Sequence, residues 1–225
     1  MKNIIVTGTS RGIGMEIALQ FAKEGHQVLA ISRNSAKELT SNTNIVYIQA
    51  DITKEEDLGR IATYVKEHWG RVDVLINNAG AIVNKPFEEI TTAEFEYVYK
   101  VNVFAVAALT RICIPLMKAG SHVVTVSSMG GIQGSVKFPG LAAYSSSKGA
   151  VVILNELLAE EYKEQGISFN TVALGAVQTE MLEEAFPGYK APLEPAEMAS
   201  FIVDFALNGQ RFFNGKVLQA SSTTP

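Results

Sequence analysis

Tyr144 and Lys148 stand four positions apart in the segment AAYSSSKGAV, among small residues. Residues four apart share one face of a helix, so the lysine can stand beside the tyrosine with one turn between them. A free phenol has a pKa of about 10 and is a poor base at neutral pH, and a neighbouring cation favours its phenolate form. The pair therefore reads either as a proton donor with the cation that tunes it, or as a surface pair on an ordinary helix. The spacing alone does not choose between these readings, so the elements around the pair must.

The first such element is the segment TGTSRGIG, with Thr7, Gly8, Gly12 and Gly14, between a short apolar strand pattern and a helical one. Gly8 permits a tight turn, Gly12 lets backbone approach a pyrophosphate, and Gly14 allows close helix–strand packing. Amide N–H groups at the start of the helix then meet the negative charge. This placement predicts a dinucleotide site rather than a merely structural turn. Where an acid would bind a free ribose 2′-OH, the chain has Ser32 followed by Arg33, and Arg11 sits inside the turn itself. A guanidinium suits a 2′-phosphate, so NADP(H) is expected over NAD(H), against the alternative of two solvated arginines. Asp51, at the end of the third strand, could accept from an adenine amino group or cap the next helix.

Short, continuously apolar runs begin at Asn3, Gln27, Asn44, Val72, His122, Ile167 and Gly215. Such runs suit strands covered on both faces. Helical patterns lie between them, one opening with Thr53 and Glu56 in capping-box spacing, and one long pattern running from Thr91 to Gly120. The alternation predicts an α/β, doubly wound Rossmann fold: a seven-stranded, mostly parallel sheet with helices on both faces, forming a single domain over residues 1–225. Ligands of such sheets bind beyond the carboxyl ends of the strands.

Composition excludes several other classes. Of 225 residues, 47% are hydrophobic and 19% charged, which allows a substantial core, and the net charge of −4 without like-charge blocks gives little support for nucleic acid. The sole cysteine, Cys113, rules out an intrachain disulfide and reads as a buried structural thiol. No apolar run approaches the roughly 18 residues of a membrane span, so a cytoplasmic protein without a membrane partner is expected. His26, His68 and His122 are isolated, so no metal site is expected, and Tyr97, Tyr99 and Phe104 read as helix packing.

With these residues in order, the chain resembles the short-chain dehydrogenase/reductase family in its compact form, with TGxxxGxG and YxxxK motifs. NNAG (Asn77 to Gly80), Asn102, the serine of VSS and the Tyr144–Lys148 pair match across nearly the whole chain. The resemblance implies catalytic roles for Asn102, Ser128, Tyr144 and Lys148, with Ser127 as the structural neighbour of Ser128. It implies that a nicotinamide cofactor meets Gly8, Thr9, Ser10, Arg11, Gly12, Ile13 and Gly14; Ser32 and Arg33; Asp51 and Ile52; Asn78, Ala79 and Gly80; Tyr144 and Lys148; and Gly175, Val177 and Thr179. The expected reaction is hydride transfer between NADP(H) and a ketone or aldehyde, with Tyr144 as general acid, Ser128 holding the carbonyl oxygen and Asn102 anchoring a water. The alternatives are a 3-oxoacyl thioester reductase of fatty-acid elongation and a non-catalytic NADP-sensing regulator.

The chain departs from the family pattern in three places. The interval from Ser128 to Tyr144 is long, which places an insertion in IQGSVKFPGLAA, at the substrate rim. Leu174 replaces a proline, from which a more mobile loop is expected, and the tail LQASSTTP lacks the usual glycines. Met181, Leu182, Phe186 and Tyr189 are expected to form an apolar substrate lid, with Glu183 and Glu184 facing water. The apolar helices over residues 95–117 and 144–162 imply a homodimer or homotetramer.

Overall fold

A computed structural model of the chain describes residues 1–221; the last four residues of the tail discussed above lie outside the described residues. Seven strands form one sheet: β1 (Asn3–Thr7), β2 (Gln27–Ser32), β3 (Ile45–Gln49), β4 (Val74–Asn77), β5 (His122–Ser128), β6 (Ser168–Leu174) and β7 (Val217–Ala220). Their spatial order is β3-β2-β1-β4-β5-β6-β7, and every neighbouring pair is parallel. The expected Rossmann architecture is therefore present, with the strand order reversing between β1 and β4.

Alternation of side chains along each strand divides the apolar runs between two cores. Ile4 and Val6 of β1 join Val28, Ile76, Val124 and Val172 under helices α1 (Gly12–Lys23) and α8 (Pro195–Asn208). Ile5 joins Leu29, Leu75, Val123 and Phe169 on the opposite face, under α3 (Glu55–His68), α5 (Ala105–Cys113) and α6 (Ala142–Glu161). This is why the strands read as unbroken apolar runs. Cys113 is part of the second core, where burial pushes its thiol up to about 12, as suits a structural cysteine.

Four local expectations are corrected. Thr53 and Glu56 form no capping box: α3 starts at Glu55, and Thr53 instead donates its N–H and hydroxyl to Asp51 Oδ1, at 3.0 and 2.8 Å. The long helical pattern is broken into α4 (Thr92–Tyr99), a π-helical turn (Lys100–Phe104) and α5. The stretch Thr92–Leu116 is long and apolar enough, by length and composition alone, to cross a membrane, yet it packs Val98, Leu109 and Cys113 into the protein. Tyr97 and Phe104 point outward rather than into the packing. Two short helices lie between the larger elements: α2 (Lys37–Thr40), after β2, and α7 (Glu180–Ala185), after β6. Leu174, expected to loosen the loop after β6, instead ends that strand, buried and paired with Ser128 and Ala220.

His122 opens β5 in the core, fully buried. Its Nδ1 lies 3.1 Å from the Ala206 carbonyl, which can only accept, so Nδ1 carries the proton. Nε2 then accepts from Asn170 Nδ2 at 2.9 Å, while Asn170 Oδ1 takes the Lys216 N–H at 3.0 Å. Protonating Nε2 would set two donors against each other in a dry site. Burial above all holds the imidazole down at about 4, with the Ala206 hydrogen bond opposing and Lys2 adding a little. Because the folded value lies below the unfolded one, the unfolded chain binds more protons between pH 4 and 6.5, and stability falls as pH drops through that window. The cost is on the order of 3 kcal/mol. Urea melts at pH 6.5 and 4.5 should show wild type losing more stability than His122→Gln; equal losses would remove His122 as the acid-sensitive group.

Candidate active site

The site is built where β1 and β4 part. Thr7 ends β1, and its hydroxyl donates to the Ile76 carbonyl while accepting the N–H groups of Asn78 and Ala79, both at 3.1 Å. Asn78 Nδ2 returns to Thr7 O at 2.9 Å and Gly8 O at 3.3 Å. The two strand ends are thereby stapled so closely that side chains are excluded. Gly8 has φ +74°, and a Cβ there would come within 2.8 Å of Ala79 Cα. A Cβ on Gly14 would strike Gly8 O and Asn78 Nδ2. The first turn of α1 has no side-chain cap and no acidic residue. Its amides are left for an anion, as the sequence predicts for a pyrophosphate.

A cleft of about 830 Å³ runs from this turn to the catalytic candidates. Its walls include the expected turn residues Gly8, Ser10, Arg11, Gly12, Ile13 and Gly14, with Ser32, Arg33, Asp51, Ile52, Asn78, Ala79 and Gly80 beyond them. Gly175, Val177 and Thr179 close the other side. Two of the expected residues do not line it. Thr9 is fully buried with its hydroxyl unpaired, and Asn102 lies behind the wall, 1% exposed. The cleft and its glycine cradle fit an extended dinucleotide in size and chemistry.

At the far end stand Ser128, Tyr144 and Lys148. The two adjacent serines separate as strand alternation requires. Ser127 turns inward and donates to Lys148 O at 2.8 Å, while Ser128, at the end of β5, faces the cleft and takes the Gly130 N–H at 3.2 Å. The long, small-faced start of α6 lets this happen, since a Cβ on Gly131 would collide with the Lys148–Gly149 backbone. Tyr144 is pushed up by burial, and Ser128 partly opposes this by hydrogen bonding to the phenol. Lys148 is pushed down by burial, to about 8. Its Nζ donates to Val126 O at 2.8 Å and stands 5.7 Å from the Tyr144 ring centroid. The expected lowering of Tyr144 by Lys148 is therefore not what this geometry produces: desolvation dominates both groups and drives them in opposite directions.

Asn102 sits in the π-helical turn, which presents its amide to the loop after β4. Oδ1 accepts the Ala81 N–H at 2.7 Å, and Nδ2 donates to Ala81 O and Ser147 Oγ, both at 2.9 Å. It satisfies backbone groups of that loop rather than of its own helix. A Cβ on Gly80 would stand 3.5 Å from Asn102 Oδ1 and 3.6 Å from Lys148 Nζ, so glycine keeps a space between them.

The cofactor-side cations are engaged. Arg33 donates to the Tyr97 hydroxyl at 3.0 Å, and Arg11 forms a two-pronged pair with Glu184. Glu183 and Glu184 are both exposed, as expected, and each also has a partner: Arg11 for Glu184 and the Gly188 N–H, at 2.9 Å, for Glu183. Asp51 lines the cleft but does not cap α3, whose N-cap is Lys54; its carboxylate instead closes the preceding turn on Thr53.

The substrate end is walled by Ile82, Val136, Phe138, Leu141 and the four lid residues Met181, Leu182, Phe186 and Tyr189. The insertion between Ser128 and Tyr144 supplies Val136 and Phe138, and sequence reasoning had not singled these out. The loop is braced by Lys137, whose Nζ donates to the Ile132 and Ser135 carbonyls at 2.6 and 3.1 Å. Asn84 was also missed. Its Nδ2 holds Ala185 O at 2.8 Å, and its side chain packs on Gly140, while Lys85 N–H donates to Gly140 O at 3.0 Å.

Comparison with known proteins agrees with this geometry. A family model described as short chain dehydrogenase matches residues 2–190. The NADPH-dependent pterin aldehyde reductase of Arabidopsis thaliana is 32% identical over 204 residues, 85% of this chain and 83% of the relative. The NADP-dependent (R)-specific alcohol dehydrogenase of Lentilactobacillus kefiri is 33% identical over 191 residues, 81% and 76% of the two chains. A short chain dehydrogenase from Burkholderia cenocepacia J2315, solved in complex with NADP, superposes with a TM-score of 0.87 at 25% identity, covering 98% of this chain and 96% of that one. The chain belongs to the short-chain dehydrogenase family and is an NAD(P)-dependent oxidoreductase.

Proposed function

We propose that the protein reduces a ketone or aldehyde with an uncharged, apolar body, using NADPH. The observation that carries this reading is the division of one cleft. The charged groups in its wall are Arg11, Arg33, Asp51 and Glu180, at the cofactor side, and Lys148 beside Tyr144, whereas the walls beyond Ser128 and Tyr144 are Ile, Val, Phe, Leu, Met and Tyr side chains. A carboxylate or phosphate on the substrate would have no partner there and would lose its hydration. Ser32 stands where an acid would hold a free ribose, with its hydroxyl turned to Asn34 O at 2.9 Å, and Arg33 follows it. Two relatives named above are themselves described as using NADPH or NADP.

The nicotinamide cofactor, when bound, supplies the hydride. Ser128 holds the carbonyl oxygen, and Tyr144 gives it a proton. Burial keeps the Tyr144 phenol protonated, which suits a donor. Lys148, held by Val126 O and with a depressed pKa, is placed to restore that proton and to bind the ribose end of the nicotinamide. Asn102 fixes the loop that carries Gly80 and so keeps the space beside Lys148 open.

The exposed apolar faces also support a homo-oligomer. Phe104, Ile153 and Leu157 are each more than 60% exposed, and the last two lie four apart on α6, forming an outward apolar stripe.

Three outcomes are expected. Tyr144→Phe should lose about 10²- to 10⁴-fold in kcat while NADPH still binds, measured by turnover and fluorescence titration; near-normal turnover would sink the mechanism. Arg33→Asp should lower the NADPH-to-NADH ratio of kcat/KM by about ten- to a hundredfold, and an unchanged ratio would remove Arg33 from this role. Light scattering should give a mass above one chain that falls for Leu157→Lys; a monomeric wild type would refute the oligomer. The substrate is sought by following NADPH oxidation over ketones, aldehydes, quinones and 3-oxoacyl thioesters. Tight NADPH binding with no turnover on any of them would favour a regulator.

A further inference from the structure

Arg11 is the cation of the glycine-rich turn, and its fork is already occupied. Nη1 and Nη2 donate to the two carboxylate oxygens of Glu184 at 2.5 and 2.9 Å. The same paired geometry is what a guanidinium offers a phosphate. Glu184 comes from α7, whose first residue is also close: Glu180 Oε2 would lie 3.4 Å from a Cβ on Gly12. Two acids of one short helix therefore rest against the segment shaped to receive phosphate. Arg33, by contrast, donates to the neutral hydroxyl of Tyr97. An incoming phosphate displaces no charge from Arg33, but at Arg11 it must displace a carboxylate.

We propose that Glu184 is a specificity-determining residue: it competes with the cofactor 2′-phosphate for Arg11 and so narrows the preference for NADP(H) over NAD(H). This rests on the reading that Arg11 faces the ribose end of the cofactor. A cofactor with a free 2′-OH has nothing to exchange for the carboxylate and leaves the pair intact, so Glu184 acts on one cofactor and not on the other. The pair is exposed, with side chains 45% and 61% accessible, which sets the size of the effect at that of a surface ion pair. When the phosphate takes Arg11, α7 loses that link to the glycine-rich turn, while Ala185, the residue after Glu184, stays held by Asn84.

The test measures dissociation constants for NADPH and NADH by fluorescence titration in wild type, Glu184→Gln, Arg11→Gln and the double variant. Glutamine keeps the shape of the side chain and removes only its charge. Glu184→Gln should bind NADPH on the order of three- to fivefold more tightly and NADH unchanged. In the Arg11→Gln background the same substitution should change neither. An equal shift for both cofactors would assign Glu184 to general closure of the lid and overturn the proposal, as would no shift at all or a shift that persists without Arg11. The wild-type ratio of the two constants reports separately on NADP preference. A wild type that favours NADH, with Glu184→Gln still tightening NADPH alone, would sink that preference and leave the competition standing.

Discussion

Everything in this molecule depends on how closely β1 and β4 approach at their carboxyl ends. Thr7 and Gly8 accept four hydrogen bonds from Asn78 and Ala79 across that junction, and Gly8 and Gly14 remove the side chains that would hold it apart. The closeness does two things at once. It directs the first turn of α1 and its unpaired amides into the cleft, and it sets the loop after β4, with Gly80, beside Lys148. The cofactor turn and the catalytic end are thus two results of one backbone contact. A methyl group at Gly14 would disturb both.

The electrostatics of the catalytic end follow from burial more than from pairing. Removing water raises the cost of charge on either group, so Tyr144 is driven toward its phenol and Lys148 toward its amine. That arrangement favours the protonated tyrosine. It also leaves the lysine near the point where it can gain or give a proton at ordinary pH. The hydroxyl of Ser128 favours the phenolate, and it lines the same cleft.

Much of this could be read from the chain, for identifiable reasons. Strands covered on both faces leave unbroken apolar runs, so all seven were visible, and the glycine turn shows itself because each glycine answers a local steric demand. The choice of Ser128 over Ser127 came from the family resemblance, and strand alternation implied that only one of the two would face the site. What could not be read are contacts whose partners are far apart in sequence. Glu184 reaches Arg11 across 173 positions, and α7, at six residues, is too short to show a helical period. Nothing in the local pattern of Asn84 marks it as an anchor. The capping signal at Thr53 failed because the helix starts one residue later than the pattern implies, with Lys54 at its N-cap and Thr53 held in the preceding turn by Asp51. The π-helical turn at Asn102 is hidden inside an otherwise regular helical pattern.

Asn84 joins three parts that are usually considered separately. Its amide holds the end of α7, its side chain packs on Gly140 at the base of the inserted rim, and the next residue bonds that same glycine. The residue just before that anchor, Glu184, grips the glycine-rich turn through Arg11. A mechanical path therefore runs from the substrate rim, through one asparagine and one short helix, to the cofactor's phosphates. Along that path, substrate choice and cofactor choice are not independent variables. Mutations that widen the rim to admit a bulkier carbonyl would be inherited by the nucleotide site, so the two preferences would drift together as the chain diverges.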